Sequence, residues 1–205
     1  MSAEPVGIAI FAKAPVEGFA KTRLAPRLGA RGAAQVQRRL IEKAVRVACA
    51  ADVGPVSLWC APSVEHASFE DLSAAFPLTL HPQMGDDLGA RMAHAFDVLT
   101  PEGPMLLMGT DCAVITPAHL VGCADALRRG ADAVVVPVED GGYILIGLRA
   151  PAPGLFTAMP WSTSAIMALT RERMRSAGLS VVERETLWDI DRPEDYDRAV
   201  AEGLL

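Results

Sequence analysis

The stretch AVVVPVEDGGYILIGL, residues 133–148, decides the fold class. Two apolar runs, Ala133–Val138 and Tyr143–Leu148, flank the turn sequence Glu139–Gly142. Continuous apolar runs of this length read as strands buried on both faces. The link between them is too short for a parallel crossover, which takes about a dozen residues or more. The two strands are therefore predicted to pair antiparallel, as a hairpin.

Outward from this hairpin, strands and helices alternate. Strands are expected at Val6–Ala12, Val56–Cys60, Leu78–Leu80, Met105–Met108 and Leu179–Val182. Helical spacing marks Gly29–Ala51, Ser63–Ala74, Leu88–Leu99 and Ser164–Ala177, and Pro193–Glu202 closes the chain. Thr116–Pro117 opens a further helix by the cap-then-proline rule, and Gly130 ends it. Alternation of this kind predicts a layered α/β fold whose sheet is mostly parallel with an antiparallel strand.

The chain has 205 residues, which suits one domain over 1–205. Hydrophobic residues make up 51% and charged residues 21%, so disorder is excluded. The net charge of −6 argues against nucleic acid or an anionic membrane as partner. The apolar run Val6–Ala12 is too short to span a bilayer, and no later run approaches about 18 residues. Cys49, Cys60, Cys112 and Cys123 show no metal-binding spacing and read as free thiols of a reducing cytoplasm. His66, His81, His94 and His119 form no recognisable triad and read as structural.

Ligands of open α/β sheets sit beyond the carboxyl ends of the strands, so the loops there matter most. The loop after the first strand carries Lys13, Lys21 and Arg23, with Arg27 and Arg31 following and only Glu17 opposing them. Such a cluster suits phosphate oxygens, and a solvated basic loop is the plainer alternative. Asp111 ends the apolar strand Met105–Met108 after Gly109 and Thr110; a carboxylate there suits Mg²⁺, or else a turn that satisfies it. Asp140, Gly141 and Gly142 either make a simple hairpin turn or bring backbone close to a ligand. Asp189 and Asp191 alternate along an extended segment, where one can ligate a metal; Asp191 can instead cap the helix at Pro193. Asp86 or Asp87 can cap the helix at Leu88, or Asp86 can bind a sugar hydroxyl and Arg91 a phosphate. Trp161–Ser164 reads as a helix cap after proline, with Trp161 in the core or on a pocket floor.

Five segments in register, FAKAPVEGFAKTRLAP, GDDLGARM, LLMGTDC, EDGGYILIGL and WDIDRPEDYDRA, resemble the CofC-like transferases. That family, also described as radical-SAM- and selenodomain-associated transferases, belongs to the GT-A nucleotide-diphospho-sugar transferase superfamily. The resemblance runs from about Val6 to Val200. It implies a three-layer α/β/α sandwich of GT-A type. It implies nucleotide phosphates on Lys13, Lys21, Thr22 and Arg23, and Mg²⁺ or Mn²⁺ on Asp111 with Asp191 as the second carboxylate. Where many relatives have proline after GTDC, this chain has Ala113 and then Val114, with no D-x-D. Asp191 or Asp189 must then complete the metal site. The first loop also differs from the Gly-rich loop of sugar nucleotidyltransferases.

The expected function is a metal-dependent transferase using a nucleotide-activated donor on a small-molecule acceptor. Lys21, Arg23 and Asp111 would be the catalytic residues, in either nucleotidyl or glycosyl transfer. A non-catalytic nucleotide-binding module of the same fold is the alternative, and an aspartyl phosphatase is a plainer rival.

Overall fold

Seven strands form one sheet in a computed structural model that describes residues 3–205. They are β1 (Gly7–Lys13), β2 (Val56–Ala61), β3 (Leu78–Pro82), β4 (Met105–Met108), β5 (Ala133–Pro137), β6 (Tyr143–Leu148) and β7 (Val181–Glu183). The spatial order is β3-β2-β1-β4-β6-β5-β7. β6 runs antiparallel to both β4 and β5, and the other pairings are parallel. The expected hairpin is thus present, and β6 is the inserted antiparallel strand.

Among the described residues six α-helices accompany them: α1 (Ala25–Ala51), α2 (Ala67–Ala75), α3 (Leu88–Leu99), α4 (Pro117–Arg128), α5 (Ile166–Ser176) and α6 (Pro193–Ala201). Alternate residues of β1 show why there are three layers. Ile8, Ile10 and Ala12 face a core built with α1 and α4. Ala9 and Phe11 face a second core built with α3 and α5. Every one of these β1 side chains is buried. The near-continuous apolar reading of the central strands follows from burial on both faces.

Several predicted boundaries move, each for a local reason. α1 begins at Ala25 rather than Gly29, because Pro26 is tolerated in a first helical turn. Gly29 takes φ +71° and kinks the helix there, which needs a residue free of a Cβ. α2 starts at Ala67, four residues after Ser63, where the ring of His66 caps Ser68 N–H. The Trp161–Ser164 segment does not cap α5; Ala165 precedes that helix and provides no side-chain cap. Arg192 holds the cap position of α6 without a side-chain cap, and Asp195 Oδ2 accepts from Arg192 N–H at 2.7 Å, which leaves the Asp191 side chain free of that task.

Because β6 is antiparallel, its first residue lies at the same sheet edge as the last residues of β4 and β5. Gly109 N–H donates to Ile144 O at 2.9 Å and carries the β4–β6 pairing to that edge. Beyond β7 the chain continues along the same edge. Leu187 N–H donates to Pro137 O, and Ile190 N–H to Asp111 O, both at 2.9 Å. Four loops distant in sequence therefore meet where the parallel strands end.

Candidate active site

Lys21 is the centre of the edge. It takes a left-handed backbone conformation, φ 46° and ψ 44°, just before a short 3-10 turn at Thr22–Leu24. A non-glycine residue there is uncommon and is held by its surroundings. The side chain, 5% exposed, reaches 2.9 Å from Asp111 Oδ2 and 3.2 Å from Asp191 Oδ1. Its ammonium also donates to Ile190 O at 2.6 Å. All three ammonium hydrogens thus have acceptors. Burial alone would lower its pKa; the Asp111 and Asp191 carboxylates outweigh this and hold it above the ordinary lysine value.

Asp111 sits one residue past the Gly109–Thr110 pair that follows β4, and its Oδ1 accepts from Thr110 Oγ1 at 3.3 Å. Asp191 Oδ2 meets Arg23 Nη1 at 3.1 Å. Both carboxylates keep over a third of their surface exposed, so each still faces solvent. Asp189 is half-buried and near enough to interact with both. Burial, and then the nearby charges of Asp140, Asp191 and Asp111, push its pKa up to about 7.

An open cleft of about 400 Å³ covers this cluster. Lys13, Lys21, Thr22, Arg23, Asp111 and Asp191 all line it. A second cavity of about 200 Å³ adjoins it and shares Phe11, Leu88, Gly109 and Ser162 with it. Asp140 and Gly142 line that second cavity.

The remaining expected residues lie elsewhere or do other work. Asp87 caps α3, accepting from Ala90 N–H at 2.7 Å, and Arg91 Nε donates to Gly85 O at 3.0 Å. Asp86 is exposed on the same turn, and none of the three lines either cavity. Gly141 approaches protein rather than open space: a Cβ there would fall 2.4 Å from Ser164 O. Its carbonyl accepts from Met167 N–H at 2.8 Å, which docks the hairpin turn on α5. Arg27 belongs to α1 and meets Asp197, and Arg31 is exposed on the same helix. The basic stretch is therefore not one loop facing phosphate.

Sequence reasoning missed Gln37. It is buried in α1 and donates to Lys13 O at 3.2 Å and to Thr110 Oγ1 at 3.4 Å, tying the ends of β1 and β4 together. A signal existed: Gln37 is the polar member of the otherwise apolar series Ala33, Gln37, Leu40, Ala44 and Ala48. Ile190 was missed as well, because it acts through its backbone carbonyl.

A divalent cation can be tested against this donor set. Mg²⁺ uses one or two carboxylates and fills its shell with phosphate oxygens and water. Asp111 and Asp191, solvent-facing and backed by an acid that burial and like charge keep hard to ionise, meet that requirement. Among the described residues, no three His, Cys, Asp or Glu side chains converge as an all-protein metal cage would need. The fit is therefore to a cation shared with a phosphate ligand.

The sheet order and the edge site together define an α/β fold of the nucleotide-diphospho-sugar transferase and nucleotidyltransferase type. Residues 44–163 match the family described as "Uncharacterized protein conserved in bacteria (DUF2064)", and the chain belongs to that family. Among solved structures it is similar to a candidate nucleotide-diphospho-sugar transferase from Desulfovibrio desulfuricans G20. That likeness has 28% identity and a TM-score of 0.82, and covers 93% of this chain and 84% of the other. A CMP:2-keto-3-deoxy-manno-octonic acid synthetase complexed with CTP shares the fold at 14% identity and a TM-score of 0.60. It covers 98% of this chain and 100% of its own. So does Rv0371c from Mycobacterium tuberculosis H37Rv, solved with manganese, at 16% identity and a TM-score of 0.58, over 98% and 100%. No curated protein matches the chain in sequence.

Proposed function

We propose that this chain is one transferase domain that moves a group from a nucleotide-activated donor to a small-molecule acceptor. The observation that carries the reading is the Lys21 ammonium clamped between Asp111 and Asp191, with Arg23 beside it, at the carboxyl edge of the sheet. The likeness to the Desulfovibrio transferase structure supports the class. The CTP and manganese complexes of proteins sharing the fold agree with a nucleotide and a cation as ligands. The resemblance to CofC-like transferases belongs to the same reading.

In this proposal Lys21, Arg23, Lys13 and Thr22 hold the donor's phosphate oxygens. Asp111 and Asp191 would hold Mg²⁺ or Mn²⁺, and Asp189 joins them once ionised. The cation supplies charge neutralisation on the leaving diphosphate. Arg23 is 61% exposed and free to swing from Asp191 to phosphate. Lys21 reaches phosphate only by giving up a carboxylate, so donor and cation enter together. In nucleotidyl transfer the acceptor oxygen bonds to the α-phosphorus and pyrophosphate departs with the electron pair. In glycosyl transfer it bonds to the anomeric carbon and a nucleoside diphosphate departs. Both need positioning and charge neutralisation rather than a covalent nucleophile. The free thiols suit a reducing setting such as the cytoplasm.

One feature favours a second reading. Lys21 already provides a cation between the two acids, which suits a nucleotide-binding module that works without metal. A thermal-shift screen over nucleoside triphosphates, nucleoside diphosphates and nucleotide sugars, with and without Mg²⁺ or Mn²⁺, separates the two. Transferase chemistry requires stabilisation that depends on divalent cation and turnover that releases pyrophosphate or a nucleoside diphosphate. The Asp111→Ala variant should keep its fold and lose both. Unchanged turnover in that variant would remove the role given to Asp111.

A further inference from the structure

The second cavity differs in chemistry from the cleft it adjoins. Phe11, Met92, Tyr143, Ile144 and Trp161 give it an apolar wall, and no lysine or arginine lines it. Its one charged residue is Asp140. Asp140 Oδ1 is engaged by Gly142 N–H at 2.8 Å, which leaves the other oxygen as an acceptor. The Thr163 hydroxyl is spent on Pro160 O at 2.8 Å. The mouth continues the apolar character, since Leu88, on the shared wall, is 43% exposed.

These features select a ligand. A volume of about 200 Å³ holds about seven waters at their liquid volume, the size of one small ring with a substituent. A phosphate or carboxylate in this cavity would meet no cation, and it would face Asp140 with Asp189 close by. Such a charge would be repelled by these carboxylates, and taking it even partly out of water without a partner is unfavourable. An apolar ring or chain with a hydroxyl suits it: the body packs on the aromatic wall and the hydroxyl donates to Asp140.

We propose that this cavity is the acceptor subsite, and that the acceptor is an uncharged, largely apolar small alcohol rather than a phosphorylated or carboxylated one. The inference rests on the transferase reading, because the donor's phosphates must lie in the neighbouring cleft. It places the acceptor hydroxyl at Asp140, across Gly109 from the cleft.

Fluorine NMR of protein labelled with 5-fluorotryptophan tests it. The Trp161→Phe variant identifies the Trp161 signal among the three tryptophans. Benzyl alcohol and phenyl phosphate are titrated with and without saturating UDP, GDP, CDP or ADP and Mn²⁺. Benzyl alcohol should move the Trp161 signal with at least tenfold higher affinity than phenyl phosphate, and should do so with nucleotide bound. Asp140→Asn should narrow that gap. Equal or tighter binding of phenyl phosphate overturns the proposal. So does displacement of benzyl alcohol by nucleotide, which would make the cavity a nucleotide site. If nucleotide binds and neither probe moves Trp161, the acceptor assignment falls and the donor site stands. If no nucleotide binds, the transferase reading itself falls.

Discussion

Lys21 spends its charge inside the protein. Its ammonium is almost wholly buried, and two carboxylates and a carbonyl replace the water it has lost. The Lys21→Met variant therefore separates two roles. With the internal cation gone, Asp111 and Asp191 should bind Mn²⁺ more tightly in the absence of nucleotide. Nucleoside triphosphate should bind roughly ten- to a hundredfold more weakly, as expected for one lost charge-assisted hydrogen bond. Calorimetry of Mn²⁺, of the triphosphate and of the plain nucleoside reads both. Equal losses for nucleoside and triphosphate would show that Lys21 does not touch phosphate.

Asp189 supplies a pH signature. Its native pKa is about 7, against roughly 3.9 for an unfolded aspartate. Between those values the native state holds a proton that the unfolded state has released. Stability is then lost as pH rises through this window, and the loss is complete above about pH 7. The Asp189→Asn variant carries no such ionisation. Measured by urea unfolding in EDTA, it should gain stability relative to the parent between pH 5 and pH 8. A difference that stays flat over that range would mean Asp189 ionises normally.

Among the elements, the β5–β6 hairpin does the most to build the site. It reverses the chain so that Tyr143 starts where β4 ends, and its turn brings Asp140 to the same edge as Asp111. β6 has no spare room for a side chain at its penultimate residue, Gly147. A Cβ on Gly147 would fall 2.6 Å from Leu106 Cδ2, 2.7 Å from Val134 Cγ1 and 3.2 Å from Leu127 Cδ1. Gly147→Ala should destabilise by about 1–3 kcal/mol through overpacking. A chain of this length loses roughly 2–4 °C of Tm per kcal/mol, so calorimetry resolves the change. Gly154→Ala, where nothing lies within 4 Å, is the matched control and should be near neutral. Element ends were harder to read than element types. The start of α5 differs from the expectation because Ser162, Thr163 and Ser164 look like capping residues, yet none of them caps the helix, and Ser162 and Thr163 line the second cavity.

At the scale of the whole molecule, net charge described the site poorly. The basic residues counted together between Lys13 and Arg31 separate into a strand end, a buried lysine, an exposed arginine and two helical positions. Asp111 and Asp191 could be singled out in the sequence because an acid at the end of a buried strand, or beside another acid in an extended segment, needs an explanation. Lys21 could be singled out too, from its basic loop, but not as their common partner, because Lys21 and Asp191 are 170 residues apart and no local pattern links them. Gln37 was obscured by its helix, and Ile190 by acting through its backbone.

The sequence by itself determined the alternation of strands and helices, the antiparallel hairpin, and the loops that carry the acids and the basic residues. Those are consequences of periodicity and connection length, which are local properties of a chain. Only the tertiary structure decided which charges meet. It paired Lys21 with Asp111 and Asp191, left Asp189 crowded by like charges, turned Asp87 and Gly141 to structural work, and set an apolar cavity beside a charged cleft. Charge pairing and cavity shape depend on distances between segments far apart in the chain, and the sheet order alone fixes those distances.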